Sequence, residues 1–160
     1  FLYPKKLIVR KQTGKGGIKM ATDVEKMMKD YFAAFNSHDV NKFLSFFTDD
    51  CVYEDAALGV VWHGKKELNG VINSVFTNVP DLKHEMKSAF GAGDWAGSEW
   101  VGTGTHFHSS NSAVPATGKH SSVRGASIIE MRKGKISRNT DYWDRVTFMQ
   151  QIGLMPAPSK

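Results

Sequence analysis

The chain has 160 residues, 41% of them hydrophobic, so it is long enough to close one sizeable core but too short for two. No apolar run approaches the roughly 18 residues that a membrane span needs, which predicts a soluble protein with no membrane partner. Cys51 is the only cysteine, so an internal disulfide is excluded and a reducing cytoplasm is the expected location.

The net charge of +5 comes from the N-terminal segment. Residues 1–19 hold six of the 21 basic residues and no acidic one; the remaining 15 face 16 acidic residues, so the rest carries about −1. A body without excess positive charge argues against a nucleic-acid partner. We expect 1–19 to be a basic extension or an expression-vector remnant, 20–156 a single domain and 157–160 a tail. If the extension is ordered, Leu7-Ile8-Val9 could add a strand to a sheet edge.

The first two predicted elements are amphipathic helices. Thr22 and Glu25 form a capping box, and apolar residues follow at helical spacing up to Phe35. Asp39 is placed to cap a second helix, whose apolar period continues to Phe47. Stripes of this kind are typical of packing against a core.

A strand, a loop and a third helix are predicted next. Residues 51–55 alternate as in a strand, with Tyr53 and Asp55 on one side. Residues 56–63 are predicted to be a loop, and Gly64 begins the third helix. Both polar side chains have two interpretations. Tyr53 is an interior aromatic or a site residue, and Asp55 is a cap for the following loop or a site residue.

From residue 82 the period changes to two, which predicts an antiparallel sheet. The four predicted strands are 82–90, 95–107, 120–132 and 135–144. Lys133-Gly134 can make the tight turn of a hairpin between the last two, and a short helix is expected near Thr147. Helices followed by such a meander predict an α+β fold, in which a cone-shaped curved antiparallel sheet packs on three N-terminal helices and leaves a pocket.

The last predicted strand carries the strongest candidate site. The side-chain period of two puts Asn139, Asp141 and Trp143 on one face. A carboxylate between a carboxamide and an indole is unusual in a sheet interior, and we interpret this face as the floor of the pocket. The alternative is that Asp141 forms a structural ion pair with Arg124 or Arg138.

Other candidates come from the histidines and one further acid. His106 and His120 are expected to provide hydrogen-bonding groups at the mouth of the pocket. Together with His108 they lack a clear fourth ligand, so no metal site is predicted. Glu99 is a second candidate acid if its face of the strand points inward.

Several segments between residues 31 and 156 resemble the nuclear transport factor 2-like superfamily, and more narrowly its SnoaL-like polyketide cyclase, or ester cyclase, group. Among them are YFAAFNSHDVNKFLSFFTDDCVYED, VWHGKKEL, FTNVPDLKHEM, GTHF, PATGKHSSVRGASIIEMRKGKI and NTDYWD. The predicted order α-α-β-α-β-β-β-β is also that of this superfamily. The resemblance implies the cone-shaped fold, which hosts enzymes of several kinds as well as non-catalytic binding modules.

The resemblance also implies roles for individual residues. In SnoaL-like cyclases an Asp inside the cone is the general acid/base of an intramolecular aldol closure, and Asp141 matches it. Ketosteroid isomerase, a relative in fold, combines an Asp base with Tyr and protonated Asp donors, which implies those donor roles for Tyr53 and Asp55. The expected ligand contacts are Asn139, Trp143, His106, His120 and Glu99. Limonene epoxide hydrolase pairs its Asp with an Arg and a second Asp on a preceding strand, and residues 99–107 contain neither, which disfavours epoxide hydrolysis.

Two functions are consistent with this sequence. The first is a small cofactor-independent enzyme that acts by acid/base chemistry on an apolar, carbonyl-bearing molecule, with Asp141 as base. The second is a non-catalytic ligand-binding or dimerisation module of the same fold. The open sheet face of this architecture predicts a homodimer in either case.

Overall fold

The computed structural model describes the backbone of residues 17–157 and the side chains of residues 24–157. Within this part the elements are α1 (Gly17–Asn36), α2 (Val40–Leu44), β1 (Phe47–Asp55), β2 (Val60–His63), α3 (Gly64–Asn78), β3 (Lys83–Ala92), β4 (Trp95–Thr105), β5 (His120–Arg132), β6 (Lys135–Trp143) and α4 (Arg145–Gln151). The order confirms the predicted α+β class. None of the described helices has the length and apolar character needed to cross a membrane. The proposed edge strand Leu7-Ile8-Val9 lies outside the described residues.

The six strands form one curved, mixed sheet in the order β2-β1-β6-β5-β4-β3. All junctions are antiparallel, as predicted, except that β1 pairs with β6 in parallel. This junction joins an early strand to the last one. Its register sets Tyr53 beside Asn139 and Asp55 beside Asp141. Because neighbouring residues in register point to the same face, the candidate acids come together there.

The predicted hairpin between β5 and β6 is confirmed. Lys133 and Gly134 have φ angles of 52° and 74°, the positive values at both central positions that a tight two-residue turn requires. Arg132 pairs with Lys135 directly across this turn. A one-residue register shift follows between Met131 and Glu130, and beyond it Asn139 and Asp141 lie on the buried face of β6.

Two predicted boundaries near the N-terminus are wrong. The first helix begins at Gly17 rather than at the Thr22 capping box. The second is capped by Asp39, whose side chain accepts from the Lys42 amide at 2.9 Å, but it ends at Leu44. Phe47 instead begins β1. Since an apolar residue at this spacing fits either a helix or a strand, the pairing of β1 with β6 decides its conformation.

The prediction of a loop over residues 56–63 is only partly correct, because Val60–His63 forms the edge strand β2. Asp55 closes the turn before it, since its Oδ1 accepts from the Leu58 amide at 2.8 Å. Val60 and Val61 are both exposed, so the short strand has no alternation of buried and exposed residues. A period-two signal is therefore weak in this segment.

The core lies between α1, α2 and α3 and the inner face of the sheet. Its largest fully buried side chains are Phe43, Phe47, Met28, Leu68, Ile129, Ile136 and Ile152. Trp100, on β4, extends over β5 at Gly125, where the indole occupies the space that a Cβ would need. Val79 fills the equivalent space at Gly104. These glycines let large side chains approach the backbone, which explains why the long strands β4 and β5 tolerate them.

Candidate active site

A cavity of about 360 Å³ opens between the inner face of the sheet and α3. Such a volume is at the lower end of the range typical of small-molecule sites. Its walls are mainly apolar and aromatic, including Phe35, Leu58, Trp62, Val71, Ile72, Val75, Val79, Leu82, Trp100, Val123, Trp143 and Phe148. The main polar groups that reach it are Tyr53, Asp55, His84, His106 and Asp141. Few polar groups in an apolar hollow favour a ligand that is largely apolar itself.

Asp141 occupies the inner face of β6 and is only 9% exposed. Its Oδ1 accepts hydrogen bonds from Ser127 Oγ at 2.6 Å and from Asn139 Nδ2 at 2.9 Å. Its Oδ2 accepts one from the hydroxyl of Tyr53. Ser127 is in turn held by the indole N–H of Trp100 at 3.0 Å. The carboxylate is therefore fixed in orientation by neutral donors.

The alternative that Asp141 is half of a structural ion pair is wrong. Among residues 24–157 no ion pair includes it. Arg124 pairs with Glu99, and Arg138 pairs with Glu54 at 3.1 Å. Because a buried carboxylate without a cation is costly to ionise, its surroundings favour proton uptake.

The pKa values at this site follow from burial. Burial raises the pKa of Asp141, the charge of Asp55 adds to the effect, and the donors Ser127, Tyr53 and Asn139 oppose it. Burial also raises the pKa of Tyr53 well above 10, and the charge of Asp141 acts in the same direction. Tyr53 thus stays a neutral phenol that can donate, and Asp141 is a stronger base than an exposed carboxylate.

Asp55 lies beside Asp141, and its predicted role as a cap for the following loop is confirmed. It closes the turn through the Leu58 amide, and both of its oxygens accept from the indole N–H of Trp143 at 3.0 Å. Burial raises the pKa of Asp55, whereas these donors lower it. The carboxyl group also lines the cavity, so a second acid faces the same space as Asp141.

The other predicted site residues divide into those on the inner face and those outside it. Asn139 is fully buried and supports Asp141 without lining the cavity, whereas Trp143 and His106 line it. The expectation for Glu99 is wrong because its parity on β4 points to the outer face, where it pairs with Arg124. His120 is exposed near Thr105 and does not line the cavity, so its expected place at the pocket is wrong as well.

Three residues of the inner face belong to the candidate site although the sequence analysis did not identify them. Trp100 and Ser127 position Asp141, and His84 lines the cavity from β3. Trp100 shared its parity with His106, so the alternation of β4 contained a signal for it. Ser127 and His84 offered none, because small or polar residues on a strand are common on either face.

Replacing Asp141 with Asn should stabilise the folded protein at neutral pH. Burial raises the folded-state pKa above the ordinary value of 3.8, so the native state binds this proton more tightly than the unfolded chain. Stability from this group is therefore full at low pH and falls as pH rises from about 4 through the raised pKa. Asp141→Asn removes that loss, and its advantage in urea unfolding should grow from pH 4.5 to pH 7.5.

Asp144→Asn is the matched control. Bonds from Thr147 lower the pKa of Asp144, so its ionised form supports folding above the ordinary pKa and the sign reverses. The pH window of this effect lies below about pH 4, so this control should be less stable than the parent by a nearly constant amount from pH 4.5 to pH 7.5. A difference between Asp141→Asn and the parent that stays constant with pH would contradict the assignment of a raised pKa.

Comparisons with known proteins identify the family and the fold. A family model described as SnoaL-like domain matches residues 28–139. A candidate SnoaL-like polyketide cyclase from a Jannaschia species superposes with a TM-score of 0.75 at 14% identity, covering 92% of this chain and 100% of that one. IdmH from Streptomyces antibioticus, a candidate polyketide cyclase, gives 0.68 at 23% identity, covering 81% and 97%.

AclR from Streptomyces galilaeus, described as a candidate hydroxylase, gives a TM-score of 0.74 at 19% identity, with 88% of this chain and 91% of that one covered. At such identities the structures establish the fold alone, and they include proteins described as having different activities. The search of curated proteins found no match. The family model spans most of the cavity-forming elements, and the chain therefore belongs to the SnoaL-like domain family, with the nuclear transport factor 2-like fold.

Proposed function

We propose that this protein is a small cofactor-independent enzyme of the SnoaL-like cyclase type, which catalyses intramolecular aldol closure or a related isomerisation of an apolar carbonyl compound. The observation that carries the proposal is Asp141, a buried carboxylate without a cationic partner among the described residues, aimed into a preformed apolar cavity. Strongly perturbed acids in clefts are typical of catalytic groups.

In the proposed reaction Asp141 is the general base. One of its oxygens takes a proton from the carbon next to a carbonyl, and the electron pair of that C–H bond moves into an enolate. The enolate carbon then forms a bond to a second carbonyl carbon of the same molecule. The alkoxide that results takes the proton back from Asp141, so the product is an isomer of the substrate. Oδ2 is the better proton acceptor, because Oδ1 already accepts two hydrogen bonds.

Tyr53 is proposed to stabilise the enolate. In the resting site its hydroxyl proton points to Asp141 Oδ2. Once Asp141 has taken up a proton it is neutral and no longer attracts that donor strongly. The phenol can then turn its proton to the developing enolate oxygen, where a donor in a dry site has its greatest effect. Asp55 is proposed as a second donor when protonated, which its raised pKa supports.

The walls favour an aromatic or polyketide-like substrate over a polar metabolite. Most of the lining is apolar, and several rings face the ligand. Family membership is consistent with that substrate class, and the same proton abstraction would also begin an isomerisation. The test is to incubate the protein with aryl diketones that can close a ring, and to look by chromatography and NMR for a product of unchanged mass. No product from any member of the panel would count against cyclisation.

The alternative proposal is a non-catalytic, dimerising module of the same fold, and a homodimer is expected under both proposals. The outer face of the sheet exposes Phe90, Trp95, Ile128 and Tyr142 at 40 to 63% of their surface. A contiguous apolar face of this kind is rare on a monomer. We expect sedimentation to give twice the chain mass.

Ile128→Arg should convert the dimer to a monomer, because it puts a charge in the middle of the face. Val146→Arg is the control, since this exposed residue lies on α4 instead. A parent protein that sediments as a monomer at high concentration would contradict the dimer.

A further inference from the structure

His84 is a polar residue of the cavity wall to which the proposed reaction assigns no task. It lies on β3 and its imidazole lines the cavity. The ring stacks between Phe35, at a centroid distance of 4.5 Å, and Trp100, at 4.4 Å. Among the described residues no side chain or backbone group hydrogen bonds to either of its ring nitrogens. A phenylalanine could fill the same stack, so packing between the two rings does not by itself account for an imidazole at this position.

The backbone of His84 is held in place from the helix side. Asn36, at the end of α1, donates to the His84 carbonyl and accepts from the His84 amide, both at 2.8 Å. Across β4 the ring lies over Gly102, where a Cβ would approach its Nε2 at 3.0 Å. These contacts fix where the imidazole points and leave room for it. The position is therefore preorganised, as binding residues are.

The imidazole is neutral at physiological pH. Desolvation lowers the pKa of His84 to about 4, because the surrounding rings cannot solvate a charge. A neutral imidazole has one N–H donor and one acceptor nitrogen. It can therefore hydrogen bond to a carbonyl or hydroxyl oxygen of a ligand without bringing a charge into the cavity.

Trp100 connects His84 to the proposed catalytic acid. One face of the indole stacks on His84, and its N–H donates to Ser127, which donates to Asp141. The imidazole, stacked on the face of the indole, and the carboxylate, connected through Ser127 to its N–H edge, thus reach one cavity at two different places. A flat ligand that lies along this indole would present its two ends to two different polar groups.

We propose that His84 contacts the ligand and holds a second oxygen function, distinct from the oxygen that lies at Asp141 and Tyr53. The substrate class is then a flat aromatic compound with oxygen groups at both ends. This inference rests on the proposed use of the cavity but not on turnover. In the aldol step both reacting carbonyls would lie at the Asp141 end, and the oxygen held by His84 would take no part in bond formation. The proton that neutralises the alkoxide still comes from Asp141.

The test compares two probes that share one skeleton. Para-diacetylbenzene carries a carbonyl at each end of a ring, and para-ethylacetophenone lacks one of them. The parent should bind the diketone more tightly in calorimetry. His84→Phe, which keeps the aromatic stack, should weaken binding of the diketone roughly tenfold and change that of the monoketone by less than about twofold. His120→Phe, an exposed histidine away from the cavity, should change neither.

A spectroscopic readout separates contact from a structural role. The imidazole nitrogen resonances of His84 should shift when the diketone is added and stay nearly constant with the monoketone. Equal weakening of both probes by His84→Phe would mean that the residue only shapes the cavity, and the proposal would fall. A parent protein that binds neither probe would overturn it as well.

The outcome is independent of the test of catalysis. If Asp141→Asn abolishes turnover but His84→Phe does not discriminate between the probes, the proposed reaction stands and the role of His84 fails. If Asp141→Asn leaves turnover unchanged but His84→Phe discriminates, the cavity is a two-ended binding site without the proposed chemistry.

Discussion

Asp141→Asn is expected to lower the turnover of a cyclisable aryl diketone by roughly 10²–10⁴-fold, the usual contribution of a positioned general base. An amide nitrogen has no basic lone pair, so the carbon proton would have no acceptor at this place. The substitution is nearly isosteric, and Ser127 can still donate to the remaining oxygen. The turnover of the parent and of Asp141→Asn is compared at saturating substrate, so that the rates report the chemical step. Substrate binding itself should change little.

Glu99→Gln is the matched control for this loss. It is also an acid-to-amide change, but Glu99 lies on the outer face of β4, where it pairs with Arg124. Its turnover should equal that of the parent. The turnover of Tyr53→Phe should lie between those of Asp141→Asn and Glu99→Gln, since this variant lacks the proposed enolate donor but keeps the base. Unchanged turnover in Asp141→Asn, with the fold intact, would reject Asp141 as the base.

Trp100→Ala is expected to lower the free energy of unfolding by about 3–5 kcal/mol, as removal of a buried Trp usually does. The indole is only 4% exposed, stacks on His84 and covers Gly125, so the variant leaves a cavity that neighbouring backbone cannot fill. Ser127 also loses its donor, which frees the group that orients Asp141. Urea unfolding measures the effect.

Trp95→Ala provides the control on the same strand. Trp95 lies on the opposite face of β4 and is 51% exposed, so its loss should cost less than about 1 kcal/mol when both alanine variants are compared in the monomeric Ile128→Arg background. Trp100→Phe separates packing from hydrogen bonding, because it keeps a ring against His84 and removes the N–H. We expect it to cost about 1 kcal/mol beyond the smaller ring's lost contacts. Equal losses for the two alanine variants would contradict a central role for Trp100.

The sequence patterns predicted the structure correctly where the conformation depends on residues that are close together in the chain. The turn at Lys133-Gly134, the cap at Asp39 and the grouping of Asn139 with Asp141 and Trp143 all depend on neighbours in the chain. The edge strand β2 was not predicted, because its apolar residues are exposed and its hydrogen bonds come from β1. The prediction that Glu99 lies in the pocket was wrong because alternation divides a strand into two faces without indicating which one is inward.

The sequence by itself determined the α+β class, most of the strands and the grouping of Asp141 with Asn139 and Trp143 on one face, since helical and strand periods are local properties of the chain. Only the tertiary structure decided that Tyr53 reaches Asp141, that Ser127 and Trp100 hold it, and that His84 faces the same cavity. Tyr53 and Asp141 lie on strands that are far apart in sequence, and Ser127 comes opposite Asp141 only because a register shift interrupts the β5–β6 hairpin. Their pairing depends on how the whole sheet closes around the core, which no local period encodes.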